Sequence, residues 1–318
     1  MTTVKKYLSL VKFSHTIFAM PFAFIGFSLG IMSFVNNAYS VVPGWHTLIS
    51  PPEGEFVSSS WRLEGNYWIL IRLFLLVLGC MVFARSAAMA FNRWLDAKYD
   101  ALNPRTAIRE IPSGIIKPKN ALVFTLVCCA LFMVCCFFIN RACFYLSPVA
   151  LFIVLFYSYT KRFTAFCHLV LGVGLSLAPI GAYIAVTGHF DLLPILFSFT
   201  VLFWVSGFDI IYALQDEEFD RANNLHSIPA ALGKAKALKV SEGLHLLSAT
   251  AVICAGIYGH FGWLYWGGVA VFTGMLIYQH SIVKPTDLRR VNIAFMTANG
   301  IASVVFAVFV LLDIFLLR

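Results

Sequence analysis

Eight of the fifteen acidic residues in this 318-residue chain fall within two short stretches, 92–118 and 209–233. The first reads NRWLDAKYDALNPRTAIREIPSG from Asn92 to Gly114. Asn92, Asp96 and Asp100 recur every fourth residue, so on a helix each stands about 40° beyond the last and all three share a face. Two carboxylates and an amide oxygen on one face form a hard-oxygen donor set of the kind Mg²⁺ takes, with water and substrate phosphate filling the rest of its shell. Arg105 and Arg109 follow, two guanidinium groups suited to phosphate oxygens. The second stretch reads DIIYALQDEEFDRANNLHSIPAALG from Asp209 to Gly233. Asp216 and Asp220 repeat the four-residue spacing. Asp209 lies two turns earlier, still within an apolar run, where an ionisable group is expensive and usually functional. Carboxylates gathered this way repel one another, and a divalent cation is the simplest reason to gather them. Solvated helix ends at a membrane border would explain one such cluster, but two at equivalent places argue for a site.

The elements that must position these groups are membrane helices. Of the residues 60% are hydrophobic and only 12% charged, roughly half the charge of an ordinary soluble domain. Nine apolar runs cover about 13–35, 69–91, 120–140, 143–158, 164–187, 190–212, 237–259, 262–283 and 291–317. Most reach the roughly 20 residues a helix needs to span a bilayer, and they are too long for barrel strands, so an all-α polytopic bundle of nine transmembrane helices in a single domain, 1–318, is expected. The first run is too long for a signal-peptide core and no cleavage site clearly ends it, so it is expected to be retained. With the N-terminus in the cytoplasm, nineteen of the twenty-three Lys and Arg residues fall on the cytoplasmic side, and only Arg62, Arg72, Arg141 and Arg318 fall outside. Both acidic stretches then lie on the cytoplasmic face of an inner (plasma) membrane. The net charge of +8 is accounted for by this topology, so no nucleic-acid partner is expected. Cys128, Cys129, Cys135 and Cys136 form two adjacent pairs without CxxC spacing or a His set and read as packing thiols.

The two stretches resemble the NxxxDxxxD and DxxxD signatures of the UbiA-type intramembrane prenyltransferases. The likeness continues into RTAIREIPSG and into a YxxxK element from Tyr157 to Lys161. Helix number, order and loop lengths agree along nearly the whole chain. One departure is Arg93, where many members carry Asp, which removes one possible Mg²⁺ contact. The resemblance implies a polyprenyl diphosphate donor held by two Mg²⁺ ions, one on Asn92, Asp96 and Asp100 and the other on Asp216 and Asp220. It further implies Tyr157, Lys161, Arg162, Arg105 and Arg109 as the diphosphate site, a small aromatic acid as acceptor, and Asp209 as the group that orients or deprotonates its hydroxyl. Asp96 and Asp216 would be catalytic through their metals. The motif details are most similar to the menaquinone branch that prenylates 1,4-dihydroxy-6-naphthoate, with 4-hydroxybenzoate, the ubiquinone-type acceptor, as the alternative.

Other features carry less. Lys12, Ser14 and His15 at the mouth of the first run could meet an acceptor carboxylate, although Lys12 serves equally as a membrane anchor. His226 reads as a solvated loop residue, and the segment 36–68, with Trp45, Trp61 and Trp68, as an interfacial cap. Two rival functions remain at this point. A cation- or proton-coupled transporter would use the carboxylates as an ion path, though such groups usually sit near mid-membrane. A lipid-binding scaffold would tolerate Asp96→Asn and Asp216→Asn.

Overall fold

The structure is a computed structural model and describes residues 3–11, 18–36 and 67–317. Lys12, Ser14, His15 and most of the 36–68 segment lie outside these. A short amphipathic helix, α1 (Thr3–Leu10), precedes α2 (Met20–Asn36), α3 (Tyr67–Leu95) and α4 (Ala97–Leu102). Then come α5 (Pro118–Ile139), α6 (Arg141–Thr160), α7 (Cys167–Thr187), α8 (Leu192–Ala213), α9 (Glu217–Ala222) and α10 (Ile228–Leu232). The last three are α11 (Lys234–Tyr258), α12 (Trp263–Ile282) and α13 (Asn299–Leu316). Among the described residues there is no strand, only an isolated bridge between Lys284 and Asp287. Apolar helices stand at all nine expected runs. Seven of them are long and apolar enough to cross a bilayer by themselves; α2 is shorter, and α12 completes the set.

The ends of these helices follow from local chemistry. Pro118 opens α5, where its missing N–H costs nothing. Asn140 separates α5 from α6. Its side-chain oxygen accepts from the Cys143 amide at 2.8 Å, while its amide donates to the Ile184 carbonyl of α7 at 2.8 Å. That cap makes α6 a full 20 residues, longer than the 143–158 run suggested. Gly188 closes α7 at φ 76°, a left-handed cap that favours glycine.

Lipid removes most of the hydrophobic drive between helices, so close packing must do more of the work. Gly26 of α2 lies so near α7 that a Cβ there would stand 2.0 Å from the Pro179 carbonyl oxygen. A Cβ on Gly172 would stand 2.5 Å from the Leu202 carbonyl oxygen, so α7 meets α8 just as closely. Helix α7 is thereby held between α2, α6 and α8, while α8 also packs on α11 and α3 packs on α5. Phe22, Phe197, Trp204, Tyr265, Phe272 and Phe306 fill the core among α2, α8, α12 and α13. Outside, the surface stays apolar: Leu75, Phe152 and Ile277 are more than half exposed, as lipid-facing residues are.

Candidate active site

Both acidic stretches leave the bundle at the same end, and neither continues as a straight helix. Helix α3 stops at Leu95 and α4 starts at Ala97, with Asp96 between them at φ −91°, ψ 6°. The amides of Asp96 and Asp100 still bond to the carbonyls four residues back, at 2.9 and 2.8 Å, so the predicted common face survives the bend. In the second stretch α8 tightens into a 3₁₀ turn over Leu214–Asp216 before α9 begins. Asp216 thus sits at a turn and Asp220 on the short helix after it.

The eleven residues expected for the metals, the diphosphate and the acceptor hydroxyl line one chamber of about 580 Å³. These are Asn92, Asp96, Asp100, Arg105, Arg109, Tyr157, Lys161, Arg162, Asp209, Asp216 and Asp220. The acidic residues are matched with cations, mostly across the fold. Arg105 grips both oxygens of Asp216, Nε at 3.1 Å from Oδ1 and Nη2 in close contact with Oδ2, while Nη1 donates to the Tyr212 hydroxyl at 2.9 Å. Asn103 adds a bond to Asp216 at 3.3 Å. Lys161 Nζ lies 2.7 Å from Asp220 Oδ1, and the Ser227 hydroxyl donates to Oδ2 at 2.9 Å. Arg109 reaches Asp100 at 2.6 Å, and Arg162 reaches Asp96 at 3.4 Å and the Leu95 carbonyl at 2.8 Å.

Burial pushes the Asp96 carboxyl up to about 6, with the neighbouring Asp100 charge adding to the effect and Arg162 and Lys161 opposing it. For Lys161 burial alone would lower the ammonium, but Asp220 outweighs it and leaves the group raised.

The donor set fits a hard divalent cation. One buried oxygen of Asp100, Oδ2, has no hydrogen-bond partner among the described residues, and Asn92 donates its amide to Asp96 at 3.0 Å while its own oxygen takes no bond from them. No three His, Cys, Asp or Glu side chains converge among the described residues, so such an ion would need water or phosphate oxygens to complete its shell.

A second, apolar cavity of about 300 Å³ runs between α3, α5, α6 and α7. It meets the chamber at Arg85, Met89, Tyr157, Leu171 and Leu175, which line both. Cys80, Cys136 and Cys143 lie on its walls.

Several chamber residues were not singled out by sequence. Asn103 and Tyr212 orient Arg105, and His168, otherwise one more residue in an apolar run, lies 2.7 Å from Asp209. Ser227, behind the chamber wall, was more legible, since Ser followed by Ile-Pro is a helix-start signal, and its hydroxyl does cap α10 by accepting from Ala230 at 3.3 Å. Arg93 is 4% exposed and lines the chamber, with Nε and Nη1 unpartnered among the described residues. A buried cation therefore stands where a metal ligand would be expected. The His226 side chain is exposed, as read from the sequence, but its backbone N–H donates to the Lys161 carbonyl at 2.7 Å. Three consecutive residues thus form a strap: His226 holds Lys161, Ser227 holds Asp220, and the Ile228 N–H points at His168 Nε2 from 3.4 Å.

An all-helical integral membrane protein with a chamber of paired acids and bases beside an apolar cavity is the class defined so far. A model of the UbiA prenyltransferase family matches residues 58–301. The chain belongs to that family and is a prenyltransferase. It is 30% identical to the 4-hydroxybenzoate octaprenyltransferase of Nitrosomonas europaea over 237 residues, 74% of this chain and 80% of that one. The enzyme of the same name from Paraburkholderia phytofirmans is 29% identical, over 71% of this chain and 78% of its own length. Among solved structures, the apo UbiA homolog from Aeropyrum pernix K1 superposes with a TM-score of 0.72 at 25% identity, covering 94% of this chain and 96% of that one. The UbiA homolog from Archaeoglobus fulgidus bound to GPP and Mg²⁺ shares the fold, with a TM-score of 0.66 at 18% identity over 97% and 99% of the two chains. The transporter and scaffold readings fall with the family assignment.

Proposed function

We propose that this protein transfers a polyprenyl group from its diphosphate to a hydroxylated aromatic acid in quinone biosynthesis, in a single membrane domain with the chamber open to the cytoplasm. The observation that carries this reading is the meeting of the acid–base chamber with the apolar cavity at Tyr157 and Arg85. A prenyl diphosphate has one end for each: an anionic head and a long apolar tail.

The head would displace the present ion pairs. Arg105, Arg109, Lys161 and Arg162 would turn from carboxylate to phosphate oxygens, with Arg93 adding a fixed positive charge. Asn92, Asp96 and Asp100 on one side and Asp216 and Asp220 on the other would then hold Mg²⁺. Such ions, when bound, neutralise the charge that grows on a departing diphosphate. The bond from the allylic carbon to the diphosphate oxygen breaks, a ring carbon of the acceptor bonds to that carbon, and the ring loses its proton. Fixed cations stabilise the leaving group without reorganising, and the apolar cavity keeps water from the allylic carbon. Asp209 faces the chamber from α8 and would hold the acceptor hydroxyl, which makes the ring more electron-rich.

Motif likeness favours 1,4-dihydroxy-6-naphthoate as acceptor, whereas the named relatives act on 4-hydroxybenzoate. Purified protein in detergent, given a polyprenyl diphosphate, Mg²⁺ and each acceptor in parallel, tests both class and pathway. Prenylated product from one acceptor, absent with EDTA, is expected. No product from either, with no binding of the diphosphate, overturns the reading.

A further inference from the structure

The chamber contains a buried histidine that the scheme above does not use. His168, the second residue of α7, is 3% exposed, and its Nδ1 lies 2.7 Å from Oδ2 of Asp209 on α8. Its other nitrogen, Nε2, faces the Ile228 amide at 3.4 Å. A backbone N–H can only donate, so Nε2 carries the lone pair and the ring proton sits on Nδ1. Ile228 is the first residue of α10, where amides lack an acceptor within their own helix, so nothing in the helix competes for this one. With the Ile228 amide as donor to Nε2, it is Nδ1–H that is aimed at Asp209 Oδ2.

Asp209 is held at one oxygen only. Oδ1 has no partner among the described residues, and the side chain is 25% exposed to the chamber. Beside it stand aromatic rings. Phe208 and Phe295 are 5.5 Å apart between centroids, Tyr212 and Phe295 are 4.3 Å apart, and all three line the chamber. One free carboxylate oxygen beside an aromatic wall suits a planar ring bearing a hydroxyl.

We infer that His168 is a positioning residue for the acceptor: it holds Asp209 by Oδ2 and so aims Oδ1 at the acceptor hydroxyl. It is not a proton relay, because both ring nitrogens are already committed, one to Asp209 and one to the backbone. A proton that reaches Asp209 has no onward route through this ring. The inference rests on the prenyl-transfer reading.

Three variants test it, with kcat and KM for the acceptor measured beside direct binding of a polyprenyl diphosphate with Mg²⁺. His168→Leu removes the donor, and a hydrogen bond to a charged group is worth about 10- to 100-fold. That fall is expected in kcat/KM for the acceptor, with diphosphate binding unchanged. The Asn side-chain amide reaches the place of Nδ1, whereas that of Gln reaches towards Nε2. His168→Asn is therefore expected within about 5-fold of wild type and His168→Gln well below it. Wild-type turnover in His168→Leu overturns the inference. So does a loss above about 10-fold in His168→Asn with diphosphate binding intact, or rescue by Gln but not Asn. If His168→Leu fails to bind diphosphate, the order of Asn and Gln decides. A wild-type protein that prenylates no acceptor counts against the functional reading itself, a separate result.

Discussion

In the stretch after α3, Asp96 meets Arg162 at only 3.4 Å with both side chains about 30% exposed, and Asp100 keeps a buried oxygen without a partner among the described residues. In the stretch after α8, Asp216 is gripped through both oxygens by Arg105 and bonded by Asn103, while Asp220 is fully buried between Lys161 and Ser227. The same four-residue spacing thus gives two different states. The first cluster keeps one unpartnered oxygen on Asp100 and a long contact on Asp96, although Arg109 holds the other Asp100 oxygen at 2.6 Å, so on the proposed reading it would take a cation with less rearrangement. The second is saturated by the protein's own cations and on that reading would have to exchange them, which would couple its metal to arrival of an anion that Arg105 and Lys161 could take instead. Carboxylates of the second cluster would therefore hold the fold as well as the substrate's metal, whereas Asp96 of the first would be freer for the metal alone.

This contrast can be broken most directly with paired substitutions. Asp96→Asn and Asp220→Asn are both expected to reduce turnover by about 100-fold or more, since each would weaken the hold on a Mg²⁺ ion that stabilises the leaving group. Their thermal melts in detergent should differ. Asp96→Asn leaves a loose, partly exposed pair and costs little. Asp220→Asn strands Lys161 against a neutral amide and should cost about 1–2 kcal/mol, reduced from a fully buried pair because Lys161 is 34% exposed. Equal melting losses would show that the two clusters do not divide the work in this way.

A smaller effect is expected at Arg105→Lys. A lysine cannot span both oxygens of Asp216 and also reach the Tyr212 hydroxyl, so KM for the prenyl diphosphate should rise about 10-fold with kcat changed less. Measured against the same change at Arg109, whose bond to Asp100 is through one nitrogen, the loss should be the larger of the two.

The mildest test is pH. Burial raises Asp96 to about 6, so a proton competes for this carboxylate well above the ordinary range. Going from pH 7.5 to 5.5 lowers its ionised fraction about 4-fold, and the Mg²⁺ needed for half-maximal turnover should rise about as much. The sign for the metal-free fold is opposite. A raised carboxyl disfavours the folded state once ionised, so its contribution to stability is lost as pH rises from the ordinary carboxylate value through about 6. A Mg²⁺ requirement that stays flat over this range would place the loosely held metal elsewhere.

What the sequence disclosed follows from the reach of each signal. Apolar runs and the spacing of Asn92, Asp96 and Asp100 are local, so helices and a shared acidic face could be read directly. The pairing of Arg105 with Asp216 joins residues 111 apart, and nothing local distinguishes it from pairing with a nearer acid. His168 lies in an apolar run and shows its role only once α7 meets α8. The bends at Asp96 and at Leu214–Asp216 carry no Pro or Gly to announce them. Even so, every residue the motifs selected lines the same chamber.

The strap of His226, Ser227 and Ile228 has a consequence for how this protein can vary. Surface loops ordinarily absorb inserted or deleted residues at little cost. Here three neighbouring positions each answer to a different partner, Lys161, Asp220 and His168. Adding or removing one residue would shift the whole register, so that Ser227 could no longer meet Asp220 while Ile228 met His168. The segment should therefore drift freely in side-chain identity at His226, whose contact is through backbone, while its length stays fixed.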